Sequence, residues 1–95
     1  MAKKAYELLC SYPVISVVVS DREAVAGCLG FADDHKMLVE PACGTTLAAV
    51  YGSTLQTLQD KGLLPHKMEN IVAIVCGGSG VNLDMLAQWK KEFDL

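Results

Sequence analysis

The sequence predicts an α/β fold, a partial parallel sheet flanked by helices, and three observations carry the prediction. Two runs, "VISVVVS" at 14–20 and "IVAIVC" at 71–76, are β-branched and apolar without alternation, the pattern of strands buried on both faces. Between and after them lie stretches with helix start signals and helical spacing of apolar residues. Glycine and proline punctuate the changes of period, as expected when strands alternate with helices through right-handed crossovers.

The first stretch, "AKKAYELLCS" at 2–11, reads as a short helix with Ala5, Leu8 and Leu9 on one face, stopped by Pro13. The 14–20 run follows as the first strand. Ser20 then opens a helix, and Glu23 three residues on completes a capping box. Val25, Cys28, Leu29 and Ala32 form that helix's apolar face. Gly27 and Gly30 each weaken it by about 1 kcal/mol relative to alanine.

"KMLVE" at 36–40 is a short strand, and Pro41 suits the first turn of the next helix, where no N–H is needed. That helix runs from about 41 to 60, with Leu47, Tyr51, Leu55 and Leu58 on one face and Gly62 as its stop. "LLPHKMEN" is a loop. The 71–76 run is the strongest strand signal, expected in the middle of the sheet. "GGSG" turns the chain, and Asn82 caps a last helix carrying Leu83, Leu86, Trp89 and Phe93.

Ninety-five residues make one domain at most. Hydrophobic residues are 52% of the chain, and the mean hydropathy is +0.30. Ordinary soluble domains hold about 45–50% apolar residues, and a small one should hold fewer. The excess implies part of a larger core or an oligomer, and a short sheet would leave edges wanting a partner. The net charge of −3 includes no basic patch, which argues against nucleic acid. No apolar run reaches the roughly 18 residues of a membrane span. Cys10, Cys28, Cys43 and Cys76 include no C-x-x-C pair, so neither zinc nor thioredoxin-type chemistry is indicated. All four lie in apolar surroundings and read as reduced thiols of a cytoplasmic protein. His35 and His66 stand in polar loops without companion ligands, and Ser79 has no spaced His and Asp for a triad.

Ligands of open α/β sheets bind at the carboxyl ends of strands. Two such ends carry chemistry here: "VEPACG", with Glu40, and "VCGGSG", with Cys76. A carboxylate and a thiol could face one crevice, among small residues that admit a flat ligand. Structural readings stand beside these. Glu40 could cap the helix behind Pro41, where the dipole favours negative charge. Cys76 could fill the core, and the glycines could serve only a tight turn.

"LVEPACGTTLAAVYG" followed by "IVAIVCGGSGVNLDML" closely resembles the C-terminal part of the L-serine dehydratases, pyridoxal-phosphate enzymes of fold type II similar to L-threonine deaminases and serine racemase. The likeness runs from "AYELL" to "WKKEF", and "SDREAV" fits it too. It implies that residues 1–95 are the C-terminal part of the large domain of such an enzyme. The implied reaction converts L-serine, with L-threonine as a second candidate substrate, to a 2-oxo acid and ammonia. Cys76 falls where the family places Ser, Thr or Cys beside the pyridine nitrogen. Glu40 falls where a glutamate lines the cofactor pocket, and Gly77 and Gly78 let the backbone pass close to the ring. The family's Schiff-base lysine stands in a Ser-x-Lys context, and none of Lys3, Lys4, Lys36, Lys61, Lys67, Lys90 or Lys91 does. The phosphate cradle and most of the monovalent-cation site also belong to upstream sequence. The resemblance therefore implies a chain inactive alone, without the catalytic N-terminal part and holding no cofactor stably by itself. Its partner is the missing portion or a second copy, as in a dimer. The alternative is a truncated, non-catalytic module that associates with a partner chain.

Overall fold

A computed structural model of the chain describes residues 2–95. Among these residues the regular structure is five helices: α1 (Lys3–Ser11), α2 (Asp21–His35), α3 (Pro41–Tyr51), α4 (Thr54–Asp60) and α5 (Leu83–Glu92).

The α/β expectation is overturned: among the described residues there is no strand, and the partial parallel sheet is not formed. The β-branched runs do stay out of helices, as crowding at Cβ would have it. A strand, however, is defined by a neighbour that supplies consecutive backbone rungs. Among the described residues no backbone hydrogen bond joins these runs; the bond from the Glu40 N–H to the Gly77 carbonyl, 3.0 Å, falls one residue beyond the 71–76 run. The 14–20 and 71–76 runs, expected to be buried, lie open: Val18 is 93% exposed and Val72 85%.

Helix boundaries follow local chemistry. The Ser20 hydroxyl accepts from the Glu23 N–H at 3.1 Å, and the Glu23 carboxylate accepts from the Ser20 N–H at 3.1 Å, closing the capping box of α2. Pro41 opens α3, and Asn82 accepts from the Met85 N–H at 2.9 Å to cap α5. Gly62 sits at φ +75° just beyond α4. The single helix expected over 41–60 is broken at Gly52–Ser53, where glycine's poor helix propensity meets no side-chain cap.

The core forms where α2 crosses α3. Cys28, Phe31, Val39, Cys43, Leu47 and Leu86 are its buried members, with Leu38, Val81 and Trp89 packed against them. The helices meet backbone to backbone. A Cβ on Gly27 would stand 2.6 Å from the Gly44 carbonyl oxygen, and one on Gly44 would stand 2.6 Å from the Cys28 sulfur. Helix α5 closes the assembly through Leu86, and Arg22 of α2 donates to the Phe93 carbonyl at 3.1 Å. Helix α1 buries no residue.

Candidate functional site

Glu40, Cys76 and Gly77 line one cavity, of about 290 Å³, together with Gly78 and Ser79. Such a volume lies at the lower edge of the ~300–1,000 Å³ usual for small-molecule sites, enough for one flat ring rather than a large ligand. The cavity lies where the residues preceding α3 meet the turn preceding α5.

The first wall comes from the start of α3. Val39, 1% exposed, anchors the chain in the core, and half-buried Glu40 takes the N-cap position of the helix. Its backbone carbonyl caps by accepting from the Cys43 and Gly44 N–H groups, both at 2.9 Å. Its carboxylate makes no cap bond; Oε1 reaches across to accept from the Gly80 N–H at 3.1 Å. The capping function thus belongs to the Glu40 main chain, and the side chain is free to join the two motifs.

The second wall is the glycine turn. Gly77 stands at φ +138°, which side-chain-bearing residues rarely adopt, and a Cβ there would meet nothing within 4 Å. The space in front of this glycine is therefore open. Gly78 answers to the opposite constraint: its Cα packs on the Leu38–Val39 backbone so closely that a Cβ would overlap the Leu38 carbonyl. The two glycines thus do different work, one opening the cavity and the other seating the turn on the core.

The thiols divide. Cys10 and Cys76 are exposed, while Cys28 and Cys43 are buried. Burial pushes the Cys28 thiol above its ordinary range, and the nearby Cys43 adds to the effect. Cys76 is exposed and lines the cavity, so within this chain it fills no core. His35 and His66 are exposed, and among the described residues no group of three or more His, Cys, Asp or Glu is placed to hold a metal ion. A larger cavity, about 350 Å³, lies between α2, α3 and α5 and is lined by Asp21, Val25, Thr45, Trp89 and Phe93 among others. Neither Glu40, Cys76 nor Gly77 lines it.

No family model matches the chain. Among curated proteins it is 46% identical over 95 residues to the L-serine dehydratase/L-threonine deaminase of Bos taurus, covering 100% of this chain and 29% of that protein. It is also 46% identical over 92 residues to the Homo sapiens protein of the same name, covering 97% and 28%. The L-serine dehydratase of Dictyostelium discoideum is 40% identical over 83 residues, covering 87% and 22%. The chain belongs to the serine dehydratase family. It spans less than a third of the length of these relatives. Within this stretch of serine dehydratase sequence, motifs 36 residues apart, at Glu40 and Cys76, converge on one cavity. Two members of the arrangement escaped the sequence reading: Cys43, whose thiol touches the 74–76 main chain, and Gly80, whose N–H holds Glu40. The only advance signal for Cys43 was its place within "EPACG", one turn after Glu40.

Among the described residues no helix is long and apolar enough to cross a membrane.

Proposed function

We propose that residues 1–95 supply one wall of the cofactor pocket of a pyridoxal-phosphate-dependent L-serine dehydratase, acting on L-serine and L-threonine. The observation that carries the reading is the convergence of Glu40, Cys76 and Gly77 on one ring-sized cavity. The residues suit a flat heteroaromatic group. Gly77 presents bare backbone with open space before it, Cys76 a thiol, and Glu40 a carboxylate. When bound, pyridoxal phosphate supplies the electron sink that lets the α-proton and then the β-hydroxyl of serine depart.

The chain's own contribution is placement. A thiol at Cys76 is a weak donor and can touch a ring nitrogen without fixing a proton on it. The Gly80 N–H pins the Glu40 carboxylate against the turn and so keeps the cavity's acidic side in place. The Schiff-base lysine and the phosphate cradle come from other sequence. A cytoplasmic location belongs to the same proposal.

The chain also works against further polypeptide, either other dehydratase sequence or a second copy. What supports this is its open apolar surface: Val18, Val72, Leu83 and Ile74 are 93%, 85%, 72% and 67% exposed. Scattered exposed aliphatic residues are normal, but two whole apolar runs are not.

The test is a chimaera in which residues 1–95 replace the aligned 95 residues of the Bos taurus relative. It should form pyruvate from L-serine with added pyridoxal phosphate. A folded chimaera that binds pyridoxal phosphate but forms no pyruvate refutes the assignment, and so does one that binds none.

A further inference from the structure

We infer that Cys43 is a positioning residue: its buried thiol clasps the main chain of residues 74–76 and so fixes where Cys76 stands on the cavity wall. The inference deepens the cofactor-pocket reading and takes its functional meaning from it, but the clasp is argued from geometry alone.

Cys43 is 2% exposed and lies in the first turn of α3, three residues after Glu40. Its sulfur donates to the Ile74 carbonyl at 3.9 Å and accepts from the Cys76 N–H at 3.4 Å. The two bonds straddle Val75 and grip the backbone on both sides of it. Among the described residues, these are the hydrogen bonds that residues 70–76 make. The run has no strand neighbour, and most of its side chains are exposed. Its end is nonetheless held, because one buried thiol stands in for a ladder rung. The next ties lie beyond Cys76, from the Glu40 N–H to the Gly77 carbonyl at 3.0 Å and from the Gly80 N–H to Glu40 Oε1 at 3.1 Å. Cys43 and Glu40, on adjoining turns, therefore hold the segment 74–80 at successive points. Cys76 sits between the two grips.

The distances suit sulfur in particular. Hydroxyl bonds to a carbonyl run about 2.5–3.0 Å, and N–H to oxygen about 2.7–3.2 Å. A serine at 43, with its shorter side-chain bond, falls short of both partners unless the segment moves inward. An alanine loses both bonds while keeping the helix. The order of grip is therefore cysteine, then serine, then alanine.

The experiment uses the 95-residue chain without cofactor, as wild type, Cys43→Ser and Cys43→Ala. Amide hydrogen exchange at Cys76 is read by NMR, and carboxymethylation of the Cys76 thiol is timed against exposed Cys10 as an internal reference. In Cys43→Ala, the Cys76 amide should exchange about fivefold faster or more, the size expected from one lost hydrogen bond. The Cys76-to-Cys10 labelling ratio should rise with it, Cys43→Ser should fall between the two, and amides within α2 and α5 should not change. Equal Cys76 exchange and labelling in all three proteins, with the helices intact, overturns the clasp. Acceleration spread evenly over α2, α3 and α5 also overturns it, since Cys43 would then be ordinary core packing. Neither measurement involves the cofactor, so a failed clasp leaves the pocket reading standing, and an inactive chimaera leaves the clasp standing.

Discussion

Gly27 and Gly30 lie one turn apart on α2, and alanine should act in opposite directions at the two. A Cβ on Gly27 would meet the Gly44 carbonyl oxygen at 2.6 Å and the Ala48 nitrogen at 3.1 Å. Both are backbone atoms of α3 and cannot rotate away. Reaching ordinary contact at ~3.5 Å means parting the helices by roughly 0.9 Å at the crossing. That crossing is the centre of the core, so Cys28, Cys43 and Leu47 lose contact together. Overpacking of this kind costs about 1–3 kcal/mol, and a backbone obstacle argues for the upper end. The alanine returns about 1 kcal/mol of helix propensity, leaving a net loss of about 2 kcal/mol. At roughly 4–8 °C per kcal/mol for a domain of this size, Gly27→Ala should melt about 8–16 °C below wild type. At Gly30 the nearest atoms are those of the Tyr51 ring, 3.4–3.5 Å away, an ordinary contact with an exposed side chain. Here only the propensity gain of about 1 kcal/mol remains, and Gly30→Ala should melt higher by about 4–8 °C. Far-UV circular dichroism melts of the two variants and wild type decide the matter. If Gly27→Ala melts at or above wild type, or Gly30→Ala falls as far as Gly27→Ala, the close crossing of α2 and α3 is wrong.

Cys76→Asp in the active chimaera puts a second carboxylate on the cavity that holds Glu40, and like charges disfavour each other's ionised form. It should lower kcat/KM for L-serine on the order of a hundredfold, about 2.7 kcal/mol of barrier, while Cys76→Ser loses far less; the reverse order sinks the neutral-thiol role. Ser20→Ala removes the α2 cap and should cost about 1 kcal/mol in chemical denaturation. The Ser20 backbone N–H, and then its hydroxyl, hold the Glu23 carboxyl below its ordinary range. That contribution is present above the unfolded carboxylate's pKa and disappears as pH falls through the lower folded value. Glu23→Gln, which removes the carboxyl that both donors hold, should therefore flatten the acid side of the stability profile, and an unchanged slope would refute the linkage. Sedimentation of the 95-residue chain at rising concentration should show self-association, and Val72→Lys with Ile74→Lys should reduce it; a monomer throughout contradicts the reading of the open apolar runs.

The sequence by itself determined the features whose partners lie three or four residues apart. The Ser20–Glu23 box, Pro41 at the start of α3, the Asn82 cap and the left-handed Gly62 after α4 are all local chemistry, and each stands where the residues put it. The family was legible too, from the two glycine-containing motifs around Glu40 and Cys76. Tertiary structure alone decided what depends on distant neighbours. The apolar runs at 14–20 and 71–76 carried strand composition but found no consecutive backbone partners, so composition did not become a sheet. Gly27 and Gly30 looked alike in sequence, and only the approach of α3 made one a contact and the other a dispensable weakness. Glu40 had a helix to cap, yet its carboxylate went to Gly80, because the fold brought a second unpaired N–H within reach. Cys43 passed for a buried small residue until the 74–76 main chain came to lie on its sulfur. A cap is decided by the chain's own geometry over one turn, whereas a rung, a crossing or a clasp requires two distant segments to meet, and no residue's spacing encodes that meeting.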